Sequence, residues 1–582
     1  MTDESVNKSK KGGGMKIFMW LLALPLALQA GAQCVDDDNT TATQNGSSQY
    51  PYNSIQAAIA NAADNDTIKV AVGTYGRIDN QGKPLIILGG YQGGTSSSYT
   101  AGTGGNFLTR TANAALTIIS GGTDSIGVNL TRFNFDPFIL TFDNFTVKNS
   151  MKGIVCDGVV SWPHVDNVTI SNNIIENNGQ PGITTLAGGI RISGNRHRVL
   201  NNIIRNNHGG RGAGIAGNRP EDSLLIEGNL IENNTGYDDH CGGIYLGGVV
   251  TIRNNVISGN RLQNSYGWGG GVLILGTAYM SFNIIKDNYC PSYGGAIFVD
   301  EGGFAYMDNE LIYHNSTSGS GGEGGAGVAL DNGAPGSSYV YMTNCTVVNN
   351  YSPGAQGGNA VYVDVSSFCA LKNCIIAGNK DDFYVSSGSG LTATYTLSEE
   401  SVAGKGNFTA DPLFADTLNG NFHLKSKSGR YNPVSQSWII DSIQSPAIDA
   451  GDSTSSYSNE PAPNGNRINL GCYGNTIYAS KSILSTSVLL EAEIPKVHHL
   501  DQNFPNPFNP STRIRFAVSV EANVSLKIFN ALGQEITVLL NEDLKPGKYE
   551  YIWHAAGLPS GVYFYRLQAA AFTETKKLVL QK

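Results

Sequence analysis

The seven-residue stretch NNIIENN (172–178) decides the fold, because the chain repeats it as NNIIRNN (201–207), GNLIENN (228–234), NNVISGN (254–260) and FNIIKDN (282–288). DNFTVKN (143–149) precedes it, and NELIYHN (309–315), NCTVVNN (344–350) and NCIIAGN (373–379) come after. Counted from Asn144, Asn173, Asn202, Asn229, Asn255, Asn283, Asn309, Asn344 and Asn373, the steps are 29, 29, 27, 26, 28, 26, 35 and 29 residues. A second element keeps the same phase: GGIRI (188–192), GAGIA (212–216), GGIYL (242–246), GGVLI (270–274), GGAIF (294–298) and GAGVA (325–329). Short aliphatic runs bounded by Asn and Gly, with no helical period, predict two or three short strands per unit.

One such unit cannot bury its apolar side alone, so successive units must stack into a solenoid. Coils spaced about 4.8 Å apart predict a rod on the order of 40 Å long for nine copies. Ile174, Ile203, Leu230, Val256 and Ile284 are the expected interior ladder. Asn at a fixed turn position tolerates left-handed φ and offers its amide to the Asn one coil above. The Gly pairs supply the other sharp corner.

Composition agrees. A chain of 582 residues with 72 Gly, 40% hydrophobic and 15% charged residues is neither a collagen, a coiled coil nor a disordered protein. The formal net charge of −9 gives a nucleic-acid partner no electrostatic support. Lys16, the apolar run Ile17 to Leu28 and Ala30-Gly31-Ala32 predict a secretory signal cleaved after Ala32. No other segment has eighteen continuous apolar residues, so no transmembrane segment is expected in the mature chain. Cys34, Cys156, Cys241, Cys290, Cys345, Cys369, Cys374 and Cys472 show no CxxC or metal-finger spacing. They read as small buried side chains.

The repeat resembles the right-handed parallel β-helix of the pectate-lyase-like superfamily, in its Asn-rich bacterial form, over roughly residues 51–381. NSIQAAIANAADNDTIKVAVGTY (53–75) is similar to the opening of that fold. Ile55, Ala58, Ile59 and Ala62 fall at helical spacing, which implies a short helix capping the open end before a first strand from Thr67 to Val72. ADPLF (410–414), FHLKS (422–426), SPAIDAGD (445–452) and NRINLGCYG (466–474) resemble a choice-of-anchor tail, read as a C-terminal cap with Asp449 and Asp452 as turn formers. LDQNFPNPFNPSTRIRF (500–516) and alternating runs at 512–516, 524–529, 549–553 and 562–567 predict a sandwich. That stretch resembles the C-terminal sorting domain of the type IX secretion system. The resemblance implies that residues 500–582 engage the secretion machinery and that the protein is extracellular or on the outer-membrane surface. The expected fold class is all-β: a right-handed parallel β-helix solenoid with an N-terminal helical cap, followed by a small immunoglobulin-like β-sandwich. The expected divisions are a leader and signal at 1–32, the β-helix at 33–409, its cap at 410–477, a linker at 478–499 and the sorting domain at 500–582.

Alternation also points to candidate chemistry. In GGAIFVDEG (294–302), Ile297 and Val299 face in, so Phe298 and Asp300 face out. Asp331 and Asp364 take the place of Asp300 on later coils, with Tyr362, Tyr245 and Arg191 on the same stripe. Asp300, Asp331 and Asp364, about 5–10 Å apart, are the candidate catalytic set for a glycosidic bond; the same oxygens suit Ca²⁺. Arg191, Tyr245, Phe298 and Tyr362 are the candidate substrate-binding residues. The plainer alternative is a row of solvated strand ends. Arg191, Arg196, His197, Arg198, Arg205, His208 and Arg211 form a basic cluster suited to uronates, and Asp238, Asp239 and His240 share a Gly-flanked loop without metal-site spacing. The NTD, GHG and RIK set of polygalacturonases and the RxPxxR element of pectate lyases are missing. The expected function is a secreted or cell-surface protein that binds extracellular polysaccharide, with cleavage by a polysaccharide lyase or glycoside hydrolase mechanism left open. The alternative is a non-catalytic surface rod used for adhesion or as a structural component. Fold analogy alone does not decide between them.

Overall fold

The computed structural model describes residues 31–582 except 132–138, 157–166, 185–186, 218–222, 319–323, 332–335, 354–356, 483–487, 492–494, 510, 556–557 and 582. The signal-peptide reading therefore lies outside the described residues but for its last two positions. Among the described residues, no helix is long and apolar enough to cross a membrane. Two compact units emerge. Among the described residues, the first comprises those up to 412 with 450–452 and 470–474; the second holds the rest.

The first unit is a stack of parallel coils. Each coil begins with a strand of about five residues. Val249–Arg253, Thr277–Ser281, Phe304–Asp308, Tyr339–Thr343 and Phe368–Lys372 are consecutive neighbours in a 14-stranded sheet. An Asn at positive φ ends most of these strands, among them Asn254 (56°), Asn344 (52°) and Asn373 (55°). The chain then enters a three-residue strand, with Ile203 over Leu230, Leu230 over Val256 and Val256 over Ile284. After a variable loop, a third short strand closes the coil: Ile244–Leu246, Val272–Ile274, Ile297–Val299, Val328–Leu330 and Val361–Val363 stack in register. The expected stacking of like over like is therefore present.

The interior ladder differs from expectation by one residue. Ile175, Ile204, Ile231, Ile257, Ile285, Ile312, Val347 and Ile376 are the buried ones, whereas Ile174, Ile203, Leu230, Val256 and Ile284 are only half-buried. The reason is period two. The preceding Asn occupies an inward position, so the first aliphatic residue must point out and the second in.

Two jobs assigned to one Asn are in fact split between neighbours. Asn172 and Asn201 take positive φ, while Asn173, Asn202, Asn229, Asn255 and Asn283 form a buried amide ladder. Each Nδ2 donates to the Oδ1 of the next coil at 2.9–3.0 Å. From Asn309 onward the leading Asn is the turn residue, and the ladder positions are Glu310, Cys345 and Cys374. The apparent step of 26 from Asn283 to Asn309 thus mixed two frames. A second ladder runs through Asn178, Asn207, Asn234, Asn260, Asn288, Asn315, Asn350 and Asn379, with Nδ2–Oδ1 distances of 2.9–3.3 Å. Buried amides cost little when their donors and acceptors are met. Here each Oδ1 also accepts a backbone N–H, as Asn202 does from Asn173 at 2.9 Å.

At the N-terminal end, β1 (Ala32–Val35) pairs in parallel with β2 (Thr67–Ala71). So Thr67 does not begin the first strand; β1 covers that edge. Between them α1 (Ile55–Asn61) buries Ile55, Ala58 and Ile59, with the Ser54 hydroxyl accepting from the Ala57 N–H. Near the other end, two tail segments lie along the side of the stack over its Asn turns. Gly471 N–H donates to Asn373 O at 2.9 Å, Cys472 N–H to Thr346 Oγ1 at 2.9 Å, and Asn309 Nδ2 to Cys472 O at 2.9 Å. Asp452 N–H donates to Asn373 Oδ1 and its carboxylate meets Lys372 at 2.8 Å. All eight cysteines are buried free thiols.

In the second unit, Asp449 sits at φ 57° and accepts the Ser482 hydroxyl at 2.6 Å. Both aspartates of SPAIDAGD thus hold turns and segments in place. Further on, two four-stranded antiparallel sheets share one core that includes Leu500, Ile514, Phe516, Trp553, Tyr565 and Leu578. The alternating runs at 512–516, 524–529, 549–553 and 562–567 all lie within strands of this sandwich. Val488–Glu491, expected within a linker, pairs antiparallel with Gly547–His554 and so belongs to it.

Candidate functional site

The third strand of each coil presents its middle residue outward. Tyr245, Leu273, Phe298, Ala329 and Tyr362 do so in register, and none belongs to the interior core. They are nonetheless covered. Phe298 is 0% exposed, Tyr362 2% and Tyr245 4%. Trp268, from the loop before Val272–Ile274, and Tyr293, from the loop before Ile297–Val299, fold over them with ring centroids 6.3 and 5.9 Å from Phe298. These outward rings form a second apolar layer, which removes Tyr245, Phe298 and Tyr362 as open sugar-stacking faces. Arg191 lies half-buried at the equivalent place on Ile190–Ile192, opposite Ala216.

Asp300, Asp331 and Asp364 do follow registered strands on successive coils, since Val299 pairs with Leu330 and Leu330 with Val363. Asp300 is buried; Asp331 and Asp364 are half-buried. Asp300 Oδ1 accepts the Glu301 N–H at 2.7 Å and Asp364 Oδ1 accepts the Val365 N–H at 2.8 Å, while Tyr362 donates its hydroxyl to Asp364 Oδ2 at 3.3 Å. Asp300 O and Asp364 O close tight turns onto Gly303 and Ser367. Asp300 and Asp364 are engaged in turning the chain, and the Asp331 N–H donates to Val299 O at 3.1 Å. Among the described residues, no three His, Cys, Asp or Glu side chains group as ligands for a metal.

The basic cluster does not form one patch either. His197 is buried and bridges Val168 N–H, which donates to its Nδ1, and Ser193 O. Arg205 pairs with Glu176 at 2.8 Å, and burial pushes the His208 imidazole below its usual range. Arg211 alone joins the loop of Asp238, Asp239 and His240. Its Nε lies 3.2 Å from Asp238 Oδ2 and its Nη2 3.5 Å from Asp239 Oδ1. Asp239 Oδ1 also pairs with His240 Nδ1. The His240 ring packs edge-on against Tyr245 at 5.5 Å and Trp268 at 5.4 Å. Burial tends to raise the Asp238 carboxyl, but the Asp239 N–H and the Arg211 guanidinium outweigh it and hold it below its usual range. A guanidinium, two carboxylates and a carboxylate-oriented imidazole thus share a half-exposed surface with an aromatic floor. Sequence reading had these residues but put Arg211 and His240 in different groups. The signal was their separation of 29 residues, one coil.

The strongest exposed feature went unread in the sequence. On the outer face of the first sheet, Tyr279, Tyr306 and Tyr341 form one column, with exposures of 49, 40 and 41%. Phe304, Tyr339 and Phe368 form the column beside it.

Comparison with known proteins covers most of the chain in pieces. Residues 502–581 match the secretion system C-terminal sorting domain, 263–399 the right-handed β-helix region, 38–292 a family described only as a protein of unknown function, and 394–451 a family described as disaggregatase related. No curated protein matches the chain. Among solved structures, a rhamnogalacturonan lyase is similar at 14% identity, covering 72% of this chain and 96% of its own, with a TM-score of 0.28. The sorting domain implies export to the cell surface or extracellular space and engagement of the secretion machinery. The chain is a right-handed parallel β-helix protein that ends in a secretion-system C-terminal sorting domain.

Proposed function

We propose that this surface-associated β-helix binds extracellular polysaccharide at the loop formed by Arg211, Asp238, Asp239 and His240. The observation that carries this reading is the convergence of fixed donors and acceptors beside the half-buried Trp268 on one half-exposed face. Sugar hydroxyls need both donors and acceptors, and sugar C–H faces need apolar floors. One guanidinium against two carboxylates suits hydroxyl-rich chains better than dense uronates. The test is affinity electrophoresis of the exported protein in gels cast with a panel of neutral and acidic glycans. Retardation that is lost in Arg211→Ala and His240→Ala supports the reading; unchanged retardation of both variants in every gel refutes it.

Cleavage at the same place is a second reading, favoured by one observation. Asp239 fixes His240 through Nδ1, and among the described residues Nε2 has no hydrogen-bond partner. A carboxylate-held imidazole with an open nitrogen is the arrangement of a proton acceptor. In a uronate chain, Nε2 would take the C5 proton, the electron pair would form the C4–C5 double bond, and the C4–O bond would break with its oxygen taking up a proton. New unsaturated ends from wild type but not from His240→Gln support this step; none from wild type excludes it.

A further inference from the structure

The two aromatic columns on the first sheet point to a separate surface. Tyr279, Tyr306 and Tyr341 have ring centroids 5.2 and 5.2 Å apart, with planes 11° and 8° from parallel. Phe304, Tyr339 and Phe368 follow at 5.0 and 5.5 Å, with planes 9° and 17° apart. Parallel rings in direct face contact would sit about 3.5–4.0 Å apart. These centroids are farther, as the strand spacing requires, and Tyr279, Tyr306, Tyr341 and Phe368 remain 40–49% exposed. The columns stand two residues apart along each strand, about 7 Å. Their inward neighbours, Ala305, Met307, Val340 and Met342, are buried in the core, which fixes the strands beneath.

The occupant follows from three properties of this strip. It repeats once per coil, a spacing commensurate with the advance per residue of an extended β-linked pyranose chain. The two columns carry no charge from Thr277 and Tyr279 through Phe368 and Ala370, so nothing on them rewards a uronate or a phosphate. Its six rings, at about 150–250 Å² each and less than half exposed, together offer less open area than the roughly 800 Å² per partner of a stable protein interface. We propose that this strip is a binding platform for a neutral, extended β-linked polysaccharide lying along the coil axis, its sugar faces on the Tyr and Phe rings and its hydroxyls on the Tyr hydroxyls. The proposal shares with the preceding section only the class of ligand; its residues are different.

The test is depletion of the exported protein onto insoluble cellulose, chitin and xylan, with soluble polygalacturonate as the acidic control. Tyr306→Thr/Tyr341→Thr keeps β-forming residues on exposed positions, and unfolding curves matching wild type show that it folds. We expect this double variant to lose roughly ten- to a hundredfold in affinity for a neutral solid, the loss of two stacked sugars. Tyr306→Phe/Tyr341→Phe is expected to lose far less. Unchanged affinity in the Thr variant overturns the platform, as does equal binding of polygalacturonate through it. A concentration-dependent dimer that the Thr variant abolishes also overturns it, because a second copy is then the occupant. Loss confined to the Arg211 and His240 variants sinks this proposal and leaves the preceding reading standing; absence of all glycan binding sinks both.

Discussion

Asn283 donates its Nδ2 to Glu310 Oε1 at 2.9 Å, so a fully buried carboxyl stands where five coils before it place an amide. Its Oε2 has no partner among the described residues. Burial pushes this carboxyl well above its usual range, against the hydrogen bonds from Asn283.

Stability should therefore depend on pH at this residue in a definite sense. The folded-state pKa is raised above the unfolded value of about 4.3. The protonated form is favoured in the fold, so its contribution is fully present below about pH 4.3 and is lost as pH rises toward the folded pKa. Glu310→Gln removes that loss. Urea unfolding from pH 4 to 8 should show the variant gaining stability over wild type as pH rises, by about 1–3 kcal/mol at neutral pH. No growing difference would mean that the carboxyl is not buried as described.

The one-residue register of the core gives a paired test. Ile175→Ala should cost about 2–5 kcal/mol, as core truncations do. Ile174→Ala, on a half-buried residue next to it, should cost less than half as much. The reverse order would restore Ile174 to the interior and undo the inward placement of Asn173.

The outer aromatic layer is structural. Phe298→Ala should lower stability by about 3–5 kcal/mol through the contacts to Trp268 and Tyr293. At a temperature where the variant is folded, its affinity for any glycan bound at the Tyr306 strip should match wild type. A loss of binding without a loss of stability would return Phe298 to a recognition role.

What sequence could and could not reveal follows from the same residues. Asn and Gly at fixed spacing dictate turns, and turns at one-coil intervals dictate stacking, so the solenoid was readable. The frame was harder, because NNII leaves two Asn to share a turn and an inward position, and the single-Asn copies put theirs at the turn in DNFT, NELI, NCTV and NCII but inward in GNLI and FNII. Phe298 and Tyr362 were rightly placed on the outside by alternation. Their cover comes from Trp268 and Tyr293 in loops whose path has no period. The Tyr strip was present as TAYMS, FAYMD and YVYMT, with Tyr at the third position 27 and 35 residues apart. Alternation hides it, because Ala, Val and Met on the inward face and Tyr and Phe on the outward face are all apolar, so no change of polarity marks which rings are exposed.

The sorting domain offers the last test, and its boundary matters. Because Val488–Glu491 pairs with Gly547–His554, a truncation at Leu500 leaves one strand without its sheet, exposing an edge that invites association. A truncation after Ser482 removes the sandwich whole. Both should stop the protein on the inner side of the outer membrane, but the first should also aggregate. Trp553→Ala separates sequence address from folded shape: Trp553 is 5% exposed in the sandwich core, and its loss should cost about 3–5 kcal/mol. If the machinery reads the folded sandwich, surface display of this variant falls with its stability, measured by protease shaving of intact cells. Normal display of an unfolded Trp553→Ala would show that the machinery reads a linear segment instead.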